Sequence, residues 1–311
     1  MPSDINTNEI KNNELTLFAA VTAVIICFLF GANAVAIKLT FHGIGVFTSV
    51  AVRFTIASIS ILLWAALTGR TLKISRDQIK YILVLALLYV AQFCVYYFGI
   101  NKTNASRSML IANLQPFFVL FLSHVFIAGD RMTKRKVSGI FLGFIGVAFV
   151  FLERSAVAAA FRAGDLGVLG STFIWACNMV YIKRIIHRFE PFHIVVYPML
   201  FALPLFWLAA LTLDPQMVIS LSAPVVGGLL YQSLVTASFG LVVWSLMLQR
   251  YGAVALHSFV FLLPVAGVSL GGLILHEPIT PKIFIALVCI VCGTVVVNYN
   301  GLMQNIRNLR K

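Results

Sequence analysis

NASRSMLIANLQPFFVLFLSHVFIAGDRMT (Asn104 to Thr133) and GAVALHSFVFLLPVAGVSLGGLILHEPIT (Gly252 to Thr280) are two versions of one pattern. Ala105 and Ala253 each stand eleven residues before a proline, Pro116 and Pro264. Each stretch closes on an acid followed three residues later by threonine, Asp130 with Thr133 and Glu277 with Thr280. The alignment needs a one-residue gap after the proline, and further on Gly146 falls opposite Gly293. Upstream, FGANAVAIK (Phe30 to Lys38) matches WACNMVYIK (Trp175 to Lys183), with Asn, Val, Ile and Lys in register. Self-similarity at this period marks a duplicated architecture.

The duplication lies in a chain made for lipid. Of 311 residues, 60% are hydrophobic and 11% charged, with a mean hydropathy of +0.97. A soluble chain carries about a quarter charged residues. The apolar runs are each about 20 residues, the length a helix needs to cross a bilayer, and they lack the alternation of barrel strands. The chain is therefore expected to be an all-α integral membrane protein. Ten spans are read: 17–38, 46–67, 79–99, 105–128, 136–152, 165–186, 191–212, 224–247, 253–275 and 281–299. They fall into two five-helix repeats, 17–152 and 165–299. An odd number of spans per half inverts the second copy relative to the first, as in transporters with a site where the halves meet.

A net charge of +13 suggests nucleic acid in a soluble domain, but here the basic residues form short clusters between apolar runs, with no basic face or motif. One set of loops holds Arg70, Lys73, Arg76 and Lys80, then Arg131 and Lys134 to Lys136, then Lys183, Arg184, Arg188 and Arg250. The opposite loops hold only Lys102, Arg107, Arg154, Arg162 and Lys282. Positive loops stay inside, so both termini are expected in the cytoplasm and the chain in a bacterial cytoplasmic (inner) membrane. The N-terminal tail lacks the basic start of a signal peptide, so the first apolar run is expected to stay as a span. The five cysteines (27, 94, 177, 289 and 292) lie inside apolar segments and imply neither disulfides nor a metal; the Cys289–Cys292 pair reads as helix filler. No cofactor or nucleic acid is expected. Asn101 and Asn104 open glycosylation patterns, without meaning unless the source has that machinery. Small-residue faces, Gly139, Gly143 and Gly146 in span 5 and Gly267 and Gly271 in span 9, serve either packing within the chain or a weak homodimer.

Taken together, FGANAVAIK in span 1, Arg53 in span 2, the repeated small-x11-Pro pattern ending in Asp130 or Glu277, and the Gly-rich spans 5 and 10 resemble the ten-helix EamA-type transporters of the drug/metabolite transporter superfamily. The resemblance covers nearly the whole chain. One departure is that Asp130 stands where the family usually has Glu, which keeps the charge. The resemblance implies a permease for small organic solutes (amino acids, related metabolites or drugs), most often an exporter. Such a chain is expected to work by alternating access around a central cavity between the repeats. Its expected partners are the solute and the lipid bilayer. The competing class is a membrane-embedded enzyme acting on a lipid-linked substrate, but no P-loop, metal-binding histidine pair or nucleophile with its base is found. A receptor fits poorly, because no sizeable loop is present to bind or signal.

Polar groups inside lipid face protein or water, and these nominate the cavity lining. Tyr89, Gln92 and Tyr96 share one face of span 3, and Gln232 and Trp244 lie in its repeat mate, span 8. Asn113 and Pro116 lie on one face of span 4, answered by His257 and Pro264 in span 9. Asn33 and Asn178 hold equivalent positions, with Trp175 just before the latter. Aromatic walls with a few amide hooks suit an amphipathic or zwitterionic solute. Alternatives stand beside each. The two asparagines serve either solute contact or interhelical hydrogen bonds, Tyr96 and Trp244 either the cavity wall or a membrane-interface belt, and Pro116 and Pro264 either as hinges or as static kinks. Lys38 and Arg53 are expected to snorkel near membrane edges, the alternative being capture of a substrate carboxylate, and Asp130 and Glu277 to cap or pair with loops. All ten acids are expected outside the spans or at their ends, which argues against obligatory proton coupling unless His257 serves as relay.

Overall fold

A computed structural model of the chain describes residues 16–69, 72–126, 134–152, 158–189, 191–257 and 259–309. The described residues are helical, with one isolated bridge between Ile44 and Val218. In chain order the helices are α1 (Leu17–Thr40), α2 (Val46–Leu67), α3 (Arg76–Asn101), α4 (Ala105–Ala112), α5 (Gln115–Phe126) and α6 (Lys134–Phe151). They continue with α7 (Ala158–Ile185), α8 (Pro191–Leu213), α9 (Ala223–Leu230), a π-helical stretch Tyr231–Gly240, α10 (Leu241–His257), α11 (Leu262–Ile274) and α12 (Pro281–Leu309). Among the described residues, seven helical stretches are long and apolar enough to cross a bilayer, and Val137–Val150, Leu262–Ile274 and Pro281–Val297 are shorter apolar helices.

Local chemistry sets the interruptions. A proline inside a helix removes one backbone donor and clashes with the carbonyl four residues earlier. The helix accordingly breaks at Asn113–Leu114, before Pro116, and in the second copy between α10 and α11, before Pro264. Each proline then sits in the first turn of the next helix, where its missing N–H would have been unpaired anyway. The second break shifts a boundary: His257, expected inside span 9, is the last residue of α10. Asp130 lies outside the described residues.

The pairings of helices repeat across the two halves. α6 packs on α12, α2 on α8, and α4 on α11. The packing of α3 on α7 is answered by α1 against α9 and the π-helical stretch, and that of α1 on α11 by α7 against α4 and α5. Exchanging the halves turns each of the first three pairings into itself and each of the others into its counterpart. Without water to drive apolar surfaces together, such contacts depend on close approach at small residues. A Cβ on Gly139 would lie 2.6 Å from Val297 and 2.7 Å from the Gly293 carbonyl, and one on Gly293 would lie 2.7 Å from the Gly139 carbonyl. The glycine face of α6 is thus consumed by α12 within the chain.

Helix starts are tied at one end of the bundle, where α1 and α3 finish. Gly45 and Asn104 supply no side-chain cap to α2 and α4, so the exposed N–H groups of each first turn need acceptors from elsewhere. The Asp214 carboxylate accepts from Phe47 N (3.2 Å), Thr48 N (2.6 Å) and Thr48 Oγ1 (2.8 Å). The Glu277 carboxylate accepts from Ala105 N (2.6 Å), Ser106 N (2.8 Å) and Ser106 Oγ (2.6 Å). Each negative charge also meets the positive end of a helix dipole. Backbone bonds from Gly45 N to Met217 O and from Ile219 N and Ser220 N to Gly43 O close the same end.

Candidate functional site

The site is organised by one cation. Arg53 is the eighth residue of α2, about 10 Å inside its start at 1.5 Å per residue. It is 5% exposed. This corrects the expectation that Arg53 snorkels at the membrane edge: the side chain turns inward among α1, α3 and the π-helical stretch. Its Nη1 donates to Tyr97 Oη (2.9 Å) and its Nη2 to Thr236 Oγ1 (3.3 Å). Tyr97 Oη donates in turn to Gln232 Oε1. Gln232 Nε2 donates to Thr40 Oγ1 (2.9 Å) and lies 3.3 Å from Ser49 Oγ. The single hydroxyl proton of Thr236 is shared between Asn33 Oδ1 and the Gln232 carbonyl, each at 2.8 Å. The network therefore joins helices of the first repeat to one stretch of the second. That stretch is π-helical over ten residues, a rare geometry that recurs at functional sites.

Aromatic rings wall one side. The Arg53 guanidinium stands 5.1 Å from the Phe54 ring and 5.8 Å from that of Phe93, and Phe54 meets Phe93 at 4.6 Å, Tyr89 at 5.0 Å and Phe206 at 5.3 Å. Several buried polar atoms have no hydrogen-bond partner: Arg53 Nε, Tyr89 Oη, Gln92 Oε1 and Asn178 Oδ1. Buried polar groups are usually paired, so these four have capacity for a visitor, as do Ser58 Oγ and Ser123 Oγ.

The nominated residues thus divide. Asn33 and Gln232 join the Arg53 network, and Tyr89 enters its aromatic wall. Gln92 and Asn178 are buried with an amide oxygen unsatisfied. Asn113 turns back on its own helix, Nδ2 donating to Met109 O (2.8 Å) at the break. Tyr96 packs edge-on to Tyr97 at 6.2 Å. Trp244 packs on Phe30 at 6.2 Å, eight residues beyond Thr236 and about 12 Å along the helix. Trp175 is half-buried, and the side chain of His257 lies outside the described residues. Tyr97, fully buried, was missed beside Tyr96; its signal was its spacing of four residues from Phe93 and eight from Tyr89 along α3.

Two features flank this centre at the tied end. A concavity of about 350 Å³ is lined by Lys38, Phe41, His42, Asn101, Asn104, Leu275 and Glu277. Nearby, Arg107 and Asp165 form an ion pair, both buried, and Thr103 Oγ1 donates to Asp165 Oδ1 (2.6 Å). Asp165 is the eighth residue of α7 but only the third of the apolar span Ala163–Ile185, so it stays at a span end although it is fully buried. The helix begins seven residues earlier than the apolar run suggests.

Known proteins resemble this chain throughout. The profile of the EamA-like transporter family matches residues 17–152 and again 162–299. A protein of Escherichia coli (strain K12), described as a probable amino-acid metabolite efflux pump, is 26% identical over 289 residues, covering 88% of this chain and 92% of its own length. An uncharacterized transporter of Bacillus subtilis (strain 168) is 23% identical over 270 residues, covering 86% and 92%. One crystal structure of another protein matches with a TM-score of 0.66 at 18% identity, over 89% of this chain and 98% of that one; it speaks to the fold alone.

Proposed function

The chain belongs to the EamA-like transporter family and is a membrane transporter of small solutes rather than an enzyme, and from that premise we propose that it exports amino acids, related metabolites or drugs by alternating access. The observation that carries this is the polar network around Arg53, which is buried in the bundle and built from both repeats. A site shared between two halves changes its exposure when one half rocks against the other. The description of the Escherichia coli relative as an amino-acid metabolite efflux pump supports the solute class and the direction.

In this account the chain crosses the bacterial inner membrane ten times, with both termini cytoplasmic as the basic loops require. The end tied by Asp214 and Glu277 then faces outward and is closed, and solute enters from the cytoplasmic side. Release follows when those ties part. The solute contacts assigned to the path are Asn33, Tyr89, Gln92, Asn178 and Gln232, with Trp244 nearer the cytoplasmic mouth and Pro116 and Pro264 at the helix breaks as hinges. A single copy contains the whole path.

The test is flux. Purified protein in liposomes is given a panel of radiolabelled amino acids, nucleosides and organic cations. Saturable movement of at least one amino acid above protein-free liposomes is expected; rates equal to empty liposomes across the panel contradict the proposal.

A further inference from the structure

We infer that Arg53 anchors a carboxylate, so that the solutes of the path are carboxylates with an apolar or aromatic body; this rests on the transport function proposed above. Every contact of the Arg53 guanidinium is to a neutral group: Tyr97 Oη, Thr236 Oγ1 and the rings of Phe54 and Phe93. The acids among the described residues are committed elsewhere. Asp165 pairs with Arg107, Asp214 and Glu277 hold helix starts, and Asp77 lies in the first turn of α3. A charge buried without a counter-charge is costly, and inside a membrane such groups mark solute or ion paths. An anionic visitor supplies what the fold withholds.

The geometry selects a planar anion. A guanidinium presents parallel N–H pairs that fit the two oxygens of a carboxylate. Nε has no partner, and Nη2 makes only the 3.3 Å contact to Thr236. A carboxylate taking the Nε and Nη2 hydrogens displaces only that contact, and Thr236 keeps its bond to Asn33. Tyr97 stays on Nη1 and fixes the plane of the fork. The solute's body then meets Phe54, Phe93 and Tyr89, whose hydroxyl is also unpartnered. Neutral aromatic walls favour an apolar side group and give no counter-charge to a second cation.

The experiment uses the full chain in liposomes and labelled L-phenylalanine, with unlabelled 3-phenylpropionate and phenethylamine as competitors. The first keeps the carboxylate without the amine, and the second keeps the amine without the carboxylate. On the wild type, 3-phenylpropionate is expected to compete about tenfold or more better than phenethylamine, the scale of one charge-assisted pair. Arg53→Met is expected to lose phenylalanine uptake and Arg53→Lys to keep part of it, with thermal denaturation confirming that each variant is folded. Should Arg53→Met fail to fold, the wild-type competition decides alone. Equal competition by the acid and the amine overturns the anchor while leaving transport standing. No wild-type uptake of phenylalanine above protein-free liposomes overturns the aromatic-bodied carboxylate as solute, and overturns transport as well only when the rest of the panel is also still.

Discussion

Arg53 and Thr236 meet across the two repeats, and the bond between them is the smallest unit on which the account depends. Replacing Thr236 with Val keeps the shape and removes the hydroxyl that accepts from Arg53 and donates to Asn33. Leaving buried groups unpaired costs about 1–3 kcal/mol. Thr236→Val is therefore expected to lower the unfolding temperature and to weaken apparent solute affinity, both read on purified protein; unchanged values for both would remove Thr236 from the site. This scale was the least legible in the sequence. Asn33 and Gln232 were found because amides stand out in apolar runs. Arg53 was seen too, but distance along a helix does not say which way a long side chain turns. Tyr97 was hidden because two adjacent tyrosines on a helix point about 100° apart, and sequence alone does not say which one faces the core.

Helices α2 and α4 are the elements tied at one end of the bundle, the end that the proposed cycle must open. Each begins without a side-chain cap of its own and borrows a carboxylate from the other repeat. Glu277→Ala removes three hydrogen bonds at the start of α4. A lost cap costs about 0.5–2 kcal/mol, enough to shift a conformational balance severalfold. A cysteine at Asn104, in the adjoining concavity, should then react several times faster with a membrane-impermeant maleimide added outside. The same rate in both backgrounds would mean that Glu277 does not hold the closed end. The sequence made part of this visible. The repeated Pro116 and Pro264 pointed to the helix breaks, and Glu277 was expected to cap or pair. Asp214 gave no signal, because its partners lie about 166 residues away and only the folded bundle brings them together.

At the scale of the whole molecule, the two repeats were legible from Asn104–Thr133 against Gly252–Thr280, since duplicated helices must keep residues that pack alike. The same duplication explains why helix pairings exchange between halves. Energy coupling belongs to this scale as well. The described acids are engaged in helix caps or in the Arg107–Asp165 pair, or lie at the start of α3, and a proton-driven carrier commonly needs a buried acid that gains and loses its proton. An imposed pH gradient without a solute gradient is expected to drive no uphill accumulation in proteoliposomes. Accumulation that collapses with a protonophore would contradict this, and its loss in His257→Ala would identify the relay.

Alternating access itself is tested most directly by counterflow. Proteoliposomes loaded with unlabelled L-phenylalanine are diluted into a trace of the labelled compound, and internal label is followed in time. A site exposed to one side at a time returns occupied, so label is expected to rise transiently above its equilibrium level and then decline. Monotonic filling to equilibrium, at a rate indifferent to the internal solute, would contradict a rocking carrier and describe an open pore.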